Sequence, residues 1–227
     1  MFIAALPAMN QRTRIKICGL SRESDVDAAV DAGADAVGFV FHPGSARHVT
    51  LDTAARLAQR LPPFVTPVAL FVNAAPAEVR AATAAIGNVT IQFHGDESPA
   101  DCAAFARPFL KVARMTPGLD LLDFARRYGE AQGLLLDAHV EGFGGAGKVF
   151  DWSLVPTGSS TAIGHRLVLS GGLHAANVVA GILQLRPWAV DVSSGVESAR
   201  GVKDAAEIRR FCDAVREADA RIAASIA

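Results

Sequence analysis

Two side chains that can transfer protons each end a short apolar run. Asp137 ends "LLLD", and a carboxyl group with apolar neighbours has a raised pKa, so that it can stay protonated and act as a general acid. Cys18 ends "IKIC". A cysteine near anion-binding dipoles or basic side chains can ionise and act as a base, but a free cysteine is also commonly a small buried hydrophobe. From the residue alone, both interpretations of Cys18 stay open.

Two glycine-rich stretches have the composition of an anion site. Gly171 and Gly172 lie in "SGGL", and Ser194 and Gly195 lie in "SSGVE". Glycine lets the backbone approach a ligand closely, and successive N–H groups near the start of a helix can hold a phosphate. Tight turns use the same residue types. Because there are two such stretches, we predict a phosphorylated ligand.

Two further charged residues are candidates for the same site. Arg47, in "HPGSARHV", has the planar fork that binds a carboxylate, although a solvated loop arginine is an equal alternative. Asp191 lies inside the apolar run "AVDVS". It is either a structural hydrogen-bonding acid or a second catalytic one.

The stretch "GFGGAGKVF" resembles a nucleotide-binding loop at first sight. Its spacing fits G-x-x-x-x-G-K, but a valine follows the lysine where a P-loop has the Ser or Thr that holds magnesium. We predict instead that Gly144, Gly145 and Gly147 belong to a mobile loop that closes over the ligand, with a plain flexible connection as the alternative.

The histidines offer a different chemistry. His42, His94 and His139 each follow an apolar run, and together with Asp137 or Asp191 they could surround a metal ion. Six histidines in the chain place some at such positions by chance. Our prediction is that the site holds no metal.

The elements that must position these residues alternate strictly. Eight apolar runs, each typical of a buried strand, are separated by Ala-rich segments with helical spacing, polar or proline starts and Gly or Pro ends. We expect Ser21 to open the first of these segments, and the short stretch "FDWSLVP" to form the segment after the sixth run. The runs span residues 14–18, 36–41, 66–72, 89–94, 109–114, 133–138, 166–170 and 189–193. Eight such units predict a single-domain (β/α)8 barrel, with an open doubly wound sheet as the alternative. In a barrel the site lies at the carboxyl ends of the strands, and phosphate binds after strands 7 and 8.

Composition limits the partners. The net charge is −1 over 227 residues, which argues against nucleic acid or an anionic membrane, and no apolar run reaches the ~18 residues of a membrane span. We expect residues 1–13 to be a flexible extension, with Met9 as an alternative start, and residues 14–227 to be the barrel. The three cysteines have no disulfide or zinc spacing, which indicates a reducing cytoplasm. We expect a monomer or a weakly held homodimer.

A series of motifs runs in order from residue 14 almost to the end: "KICGL", "DAVGFVFHPGSARHV", "FVN", "QFHGDE", "LLLDA", "GGAGKVFDWS", "LSGGLHAANV", "DVSSGVES" and "GVKD". In these motifs the chain resembles the phosphoribosylanthranilate isomerases of tryptophan biosynthesis. The resemblance implies a small (β/α)8 barrel without a cofactor, which performs an Amadori rearrangement of a phosphosugar. It implies that Cys18 is the general base, Asp137 the general acid and Arg47 the ligand of the anthranilate carboxylate. It also implies that Gly171, Gly172, Ser194 and Gly195 bind the phosphate.

Three other functions stay open. A metal-dependent pentose-phosphate epimerase would use the histidines. The histidine-pathway isomerase performs the same rearrangement with two aspartates, and Cys18 argues against it. A catalytically silent barrel that binds a phosphorylated ligand is the alternative outside the enzymes.

Overall fold

Eight parallel strands close into a barrel in chain order, with β8 paired to β1. The computed structural model describes residues 12–138, 149–156 and 166–225. The strands are β1 Arg14–Cys18, β2 Ala36–Val40, β3 Thr66–Phe71, β4 Thr90–Phe93, β5 Phe109–Met115, β6 Gly133–Ala138, β7 Arg166–Leu169 and β8 Ala189–Val192. The predicted (β/α)8 barrel is confirmed, and the open sheet is excluded by the β1–β8 pairing. A small separate sheet joins β9 Glu197–Ala199 to β10 Val202–Lys203.

Helices follow the strands as the alternation predicts. In the described ranges they are α1 Glu23–Asp31, α2 Leu51–Ala58, α3 Pro76–Ile86, α4 Pro99–Ala103, α5 Leu121–Arg127, α6 Ala175–Leu185 and α7 Ala205–Ala224. Between β6 and β7 the predicted short helical segment contains a 3-10 turn, Trp152–Leu154. None of the helices in the described ranges has the length and apolar character needed to cross a membrane.

Local chemistry fixes the helix starts. Thr50, Ser98, Asp120 and Asp204 each accept a hydrogen bond from a backbone N–H of the first turn, which satisfies donors that have no partner within the helix. The prediction that Ser21 opens the first helix is wrong. That helix begins at Glu23, because the Asp25 carboxylate reaches back to accept bonds from the N–H groups before it.

Alternate residues of each strand face opposite sides of the barrel wall. One set packs under the helices and forms the main apolar core. The other set faces inward, where four side chains from β5 to β8 pack together: Val112, Leu135, Val168 and Ala189. Two residues further along β6, β7 and β8, the inward positions are the buried polar residues Asp137, Ser170 and Asp191. The barrel interior thus changes from apolar to polar toward the carboxyl ends of the strands.

The two residues just before β1 are tied to the barrel. Thr13 is buried and donates from its backbone N–H and its hydroxyl to Asp219 of α7, and Arg12 pairs with Asp35. The rest of the expected N-terminal extension, residues 1–11, lies outside the described residues.

Two buried thiols away from the barrel interior predict an alkaline loss of stability. Burial raises the pKa of Cys102 to about 12 and that of Cys212 to about 11. Unfolded thiols lose their protons near the ordinary pKa of 9.0, so the folded state binds more protons above that pH. We therefore expect the free energy of unfolding to fall between pH 9 and about pH 11, by up to about 1.4 kcal/mol per pH unit for each thiol. Urea denaturation across this range measures the slope. The double variant Cys102→Ala/Cys212→Ala should lose stability less steeply, and equal slopes would contradict the prediction.

Candidate active site

Cys18 ends β1 and faces the inside of the barrel. Its residue is only 4% exposed, and its register partner in β2 is Gly38. A Cβ at Gly38 would lie 2.6 Å from Cys18 Sγ, so the glycine provides the space in which the thiol sits. Burial raises the pKa of the Cys18 thiol, and the nearby Lys16 ammonium opposes this rise.

A buried ion pair lies beside the thiol. Lys16 precedes Cys18 by two residues and faces the same side of β1. Its Nζ donates to Asp191 Oδ1 on β8 at 2.7 Å, and the two side chains are 5% and 6% exposed. Burial alone would lower the pKa of Lys16, but Asp191 and Cys18 raise it above its ordinary value. Lys16 therefore carries a full positive charge next to Cys18.

Asp137, near the end of β6, is held by two neighbouring groups. Its Oδ1 accepts the backbone N–H of Ala138 at 2.8 Å, and its Oδ2 lies 3.2 Å from His94 Nε2. His94 Nδ1 in turn lies 3.2 Å from Gln92 Nε2. The imidazole ring of His94 thus lies between Gln92 and Asp137, with one ring nitrogen toward each. A Cβ at Gly171 would lie 3.0 Å from Asp137 Oδ1, so the first glycine loop packs directly on the carboxyl group.

The two predicted phosphate loops follow β7 and β8 and contact each other. Gly171 and Gly172 have φ values of +81° and +63°, a left-handed backbone that favours glycine. Gly195 lies in the 3-10 turn Ser194–Val196, where a Cβ would stand 1.9 Å from the carbonyl oxygen of Leu173. The backbones of the two loops are therefore closer than any larger residue would permit.

Replacing Gly195 by alanine tests this contact. The new methyl group would force the Leu173 carbonyl to move, and the first loop would move with it. We therefore expect KM for a phosphorylated substrate to rise at least about tenfold, which equals about 1.4 kcal/mol of binding free energy. Steady-state kinetics measure the change. Gly129→Ala is the matched control, since its nearest contact is 3.4 Å from Arg126 O. An unchanged KM in Gly195→Ala would contradict the prediction.

Arg47 lies at the same end of the barrel but is paired with a carboxylate of the protein. Its Nε and Nη2 donate to the two oxygens of Glu197 at 2.6 and 2.8 Å. Lys203 Nζ also donates to Glu197, at 2.7 Å. Burial alone would raise the pKa of Glu197, but the hydrogen bonds from Arg47 and Lys203 lower it to about 2. Arg47, which the sequence predicts to bind the substrate, thus has its Nε and Nη2 in a buried ion pair with Glu197. Its third nitrogen, Nη1, lies outside that pair.

Further contacts join this ion pair to Cys18. Lys203 Nζ donates to the carbonyl oxygen of Ser193 at 2.8 Å, and Ser193 Oγ donates to the carbonyl oxygen of Cys18 at 3.0 Å. Ser170 Oγ lies 3.4 Å from Oδ2 of Asp191, the carboxylate that pairs with Lys16. The structure therefore gathers the proposed base, the proposed acid, Arg47 and both glycine loops at one end of the barrel.

Two predictions concern residues outside the described ranges. One is the closing loop, with Gly144, Gly145 and Gly147, and the other is His139 of the alternative metal site. His94 is hydrogen-bonded to Asp137 and Gln92. Among the described residues, no group of three or more His, Cys, Asp and Glu side chains is arranged to hold a metal ion.

Four residues of the site were missed from the sequence. The Lys16 side chain could have been found, since its two-residue spacing from Cys18 places both on one face of a strand. Gln92 could have been found in the same way, since it precedes His94 by two residues. Glu197 and Lys203 gave no local signal, because their partners lie elsewhere in the chain.

The arrangement can move protons on a phosphorylated ligand. A thiol with an adjacent ammonium group and a carboxyl group with an adjacent imidazole are the two groups that can transfer protons. The glycine loops provide backbone N–H groups for a phosphate. Together they suit an acid–base isomerisation of a sugar phosphate.

Comparisons with known proteins agree with this chemistry. Residues 15–214 match the family model of N-(5'phosphoribosyl)anthranilate (PRA) isomerase. The N-(5'-phosphoribosyl)anthranilate isomerase of Methylibium petroleiphilum is 69% identical over 214 residues, covering 94% of this chain and 99% of that protein.

Solved structures show the same likeness. A phosphoribosyl anthranilate isomerase in complex with reduced 1-(o-carboxyphenylamino)-1-deoxyribulose 5-phosphate superimposes with a TM-score of 0.79 at 36% identity, covering 90% of this chain and 99% of that one. Monomers generated from the dimeric Thermotoga maritima isomerase give 0.80 at 35%, again over 90% and 99%. The family model and these relatives span nearly the whole barrel, and the chain belongs to the N-(5'-phosphoribosyl)anthranilate isomerase family.

Proposed function

We propose that this chain converts N-(5-phosphoribosyl)anthranilate to 1-(2-carboxyphenylamino)-1-deoxyribulose 5-phosphate in tryptophan biosynthesis, with Cys18 as general base and Asp137 as general acid. The observation that carries the assignment of roles is their placement. Both side chains face into the barrel near the carboxyl ends of their strands, and both lie beside the loops that follow β7 and β8.

The reaction needs two proton transfers in sequence. Asp137 protonates the ring oxygen of the ribose, and the ring opens to a Schiff base as the C1′–O bond breaks. Cys18, as the thiolate, then removes the proton from C2′, and the electron pair of that bond forms the enolamine. Tautomerisation to the ketone completes the rearrangement. The enzyme ends with a thiol and a carboxylate, which exchange protons with solvent before the next turnover. Each step is a proton transfer that these side chains can perform without a cofactor.

The remaining site residues position the substrate. We propose that Gly171, Gly172, Ser194 and Gly195 hold the phosphate through backbone N–H groups, since both loops contact each other and the first packs on Asp137. Arg47 would hold the anthranilate carboxylate through Nη1, while Glu197 fixes the guanidinium in place through Nε and Nη2. Binding both ends of the substrate aligns C2′ with the thiol.

We also propose that the protein works in the cytoplasm. All three cysteines are free and buried, which suits a reducing cytoplasm. The exposed large apolar side chains of the described residues are few and lie in different segments of the chain: Leu51, Phe64, Leu122, Val149 and Val202. This distribution supports a monomer or a weakly held homodimer.

We propose residues 14–227 as the catalytic unit, preceded by the extension 1–13. Its partner would be a small phosphosugar rather than nucleic acid or a membrane.

A fluorescence assay tests the activity directly. The substrate is made in place from anthranilate and phosphoribosyl pyrophosphate with the transferase that joins them, and its fluorescence is then followed after this protein is added. We expect rapid loss of substrate fluorescence with formation of the deoxyribulose product. Binding without loss of substrate would instead indicate a silent phospho-ligand barrel and would overturn the proposed activity.

A further inference from the structure

Cys18 presents a problem for its proposed role. Removal of a proton from C2′ requires a thiolate, yet the thiol is buried and burial favours its neutral form. Among the residues that the structure describes, four charged groups act on it: Lys16 on β1, Asp191 on β8, Lys203 on β10 and Arg47 after β2. Three of them are positive, and Asp191 is negative.

Lys16 is the positive group placed to act most directly. A Cβ on Gly38 would lie 2.6 Å from Cys18 Sγ and 3.2 Å from Lys16 Nζ, so both atoms border the same small space beside β2. Arg47 and Lys203 share the single negative charge of Glu197, which offsets only part of their charge, and their guanidinium and ammonium groups are held toward Glu197. Lys16 is shared between Asp191 and the thiol.

Resting on the proposed function, we propose that Lys16 is a positioning residue that stabilises the thiolate of Cys18, and that Asp191 limits this effect by sharing the ammonium group. The ionisation itself is simple: the thiol proton goes to solvent, and the new negative charge is balanced by Lys16. Gly38 completes the arrangement, because a side chain there would collide with Sγ and crowd Nζ.

The proposal makes two opposite predictions within one ion pair. Lys16→Met removes the positive charge, so the midpoint of Cys18 ionisation should rise by about one pH unit or more. Asp191→Asn removes the competing negative charge and leaves Lys16 to the thiol, so the midpoint should fall by a similar amount. Lys16→Arg keeps the charge and should restore most of the wild-type midpoint. Loss of packing alone would not move the two variants in opposite directions.

The measurement uses the full, ligand-free protein and does not depend on the isomerase reaction. The ultraviolet absorbance of the thiolate is followed against pH, with Cys18→Ser subtracted to remove the signal of Cys102 and Cys212. Alkylation of Cys18 by iodoacetamide, located by peptide mass spectrometry, gives a second reading. Failure of the isomerase assay in the wild type would overturn the proposed function, whereas the titration tests Lys16 by itself.

A matched control and a second variant keep the test decisive. Lys111→Met removes a buried lysine of another cluster, which pairs with Glu97 at 2.8 Å and acts on Cys102, and it should leave the midpoint of Cys18 unchanged. Since Lys16→Met leaves a buried carboxylate without its partner, the double variant Lys16→Met/Asp191→Asn removes both charges. Its midpoint should lie above that of the wild type, because Lys16 affects Cys18 more strongly than Asp191 does.

Activity gives the last reading. In Lys16→Met, kcat at neutral pH should fall about tenfold for each pH unit by which the midpoint rises, while KM changes little because the phosphate loops and Arg47 are untouched. A midpoint that is the same in wild type, Lys16→Met and the double variant would overturn the proposal. A shift in the same direction for Lys16→Met and Asp191→Asn would also overturn it.

Discussion

Asp137→Asn is expected to lower kcat by about 10²–10⁴-fold, the usual contribution of a general acid. Asparagine has the same shape, and its carbonyl oxygen can still accept the Ala138 N–H that Asp137 Oδ1 accepts now. It has no acidic proton to give to the ring oxygen, so the ribose ring stays closed. KM should change little, because the glycine loops and Arg47, the proposed ligands of the two ends of the substrate, are untouched. Steady-state kinetics in the fluorescence assay separate the two constants.

The control for this variant is Asp96→Asn. Asp96 follows β4 and carries a carboxylate that pairs with Arg114, but its side chain is 70% exposed. Exposed pairs of this kind contribute little to stability, and we expect kcat to stay within about twofold of the wild type. If Asp137→Asn kept wild-type kcat, another group would have to protonate the ring oxygen, and the assignment of the acid would be wrong.

Much of the barrel could be predicted from local patterns. Every predicted apolar run matches a strand of the barrel to within one residue at each end, because a parallel strand covered on both faces needs a nearly continuous apolar run. The position of Cys18 and Asp137 near strand ends follows from the same runs. The glycine loops could also be predicted, since left-handed and closely packed backbone requires glycine at Gly171, Gly172 and Gly195.

The partners of these residues could not be predicted in the same way. Arg47 and Glu197 lie 150 positions apart in the chain, and Lys16 and Asp191 lie 175 apart. Their contacts exist only because β8 pairs with β1 and sets a definite register. A local pattern carries no information on that register. Arg47 therefore seemed a free ligand for the substrate, whereas the structure holds it in a buried ion pair.

The ends of the elements show the same limit on a smaller scale. A serine before an acidic, Ala-rich segment is a common helix start, which is why Ser21 was expected to open the first helix. In the structure the Asp25 carboxylate accepts bonds from two preceding N–H groups, and the helix starts two residues later than Ser21. Two side chains of similar capping ability compete here, and the sequence does not decide between them.

Cys18→Ser is expected to reduce kcat by about 10²–10⁴-fold as well. A hydroxyl group fits the space beside Gly38 more easily than a thiol, so the barrel should fold normally. Serine ionises far less readily than cysteine, and Lys16 alone does not lower its pKa enough to give a useful alkoxide. Substrate should therefore bind with nearly unchanged affinity and turn over very slowly. Circular dichroism verifies the fold, and single-turnover fluorescence measures the remaining rate.

The double variant Cys18→Ser/Asp137→Asn shows whether the two residues act on one reaction path. In the proposed mechanism, proton donation and proton removal occur in sequence on the same substrate, so once either step is blocked, loss of the other group should cost little more. We expect the double variant to be at most about tenfold slower than the slower single variant, since groups that act as a unit are strongly non-additive. If the two losses multiplied in full, each residue would contribute independently, and the sequence of ring opening by Asp137 and deprotonation by Cys18 would be wrong.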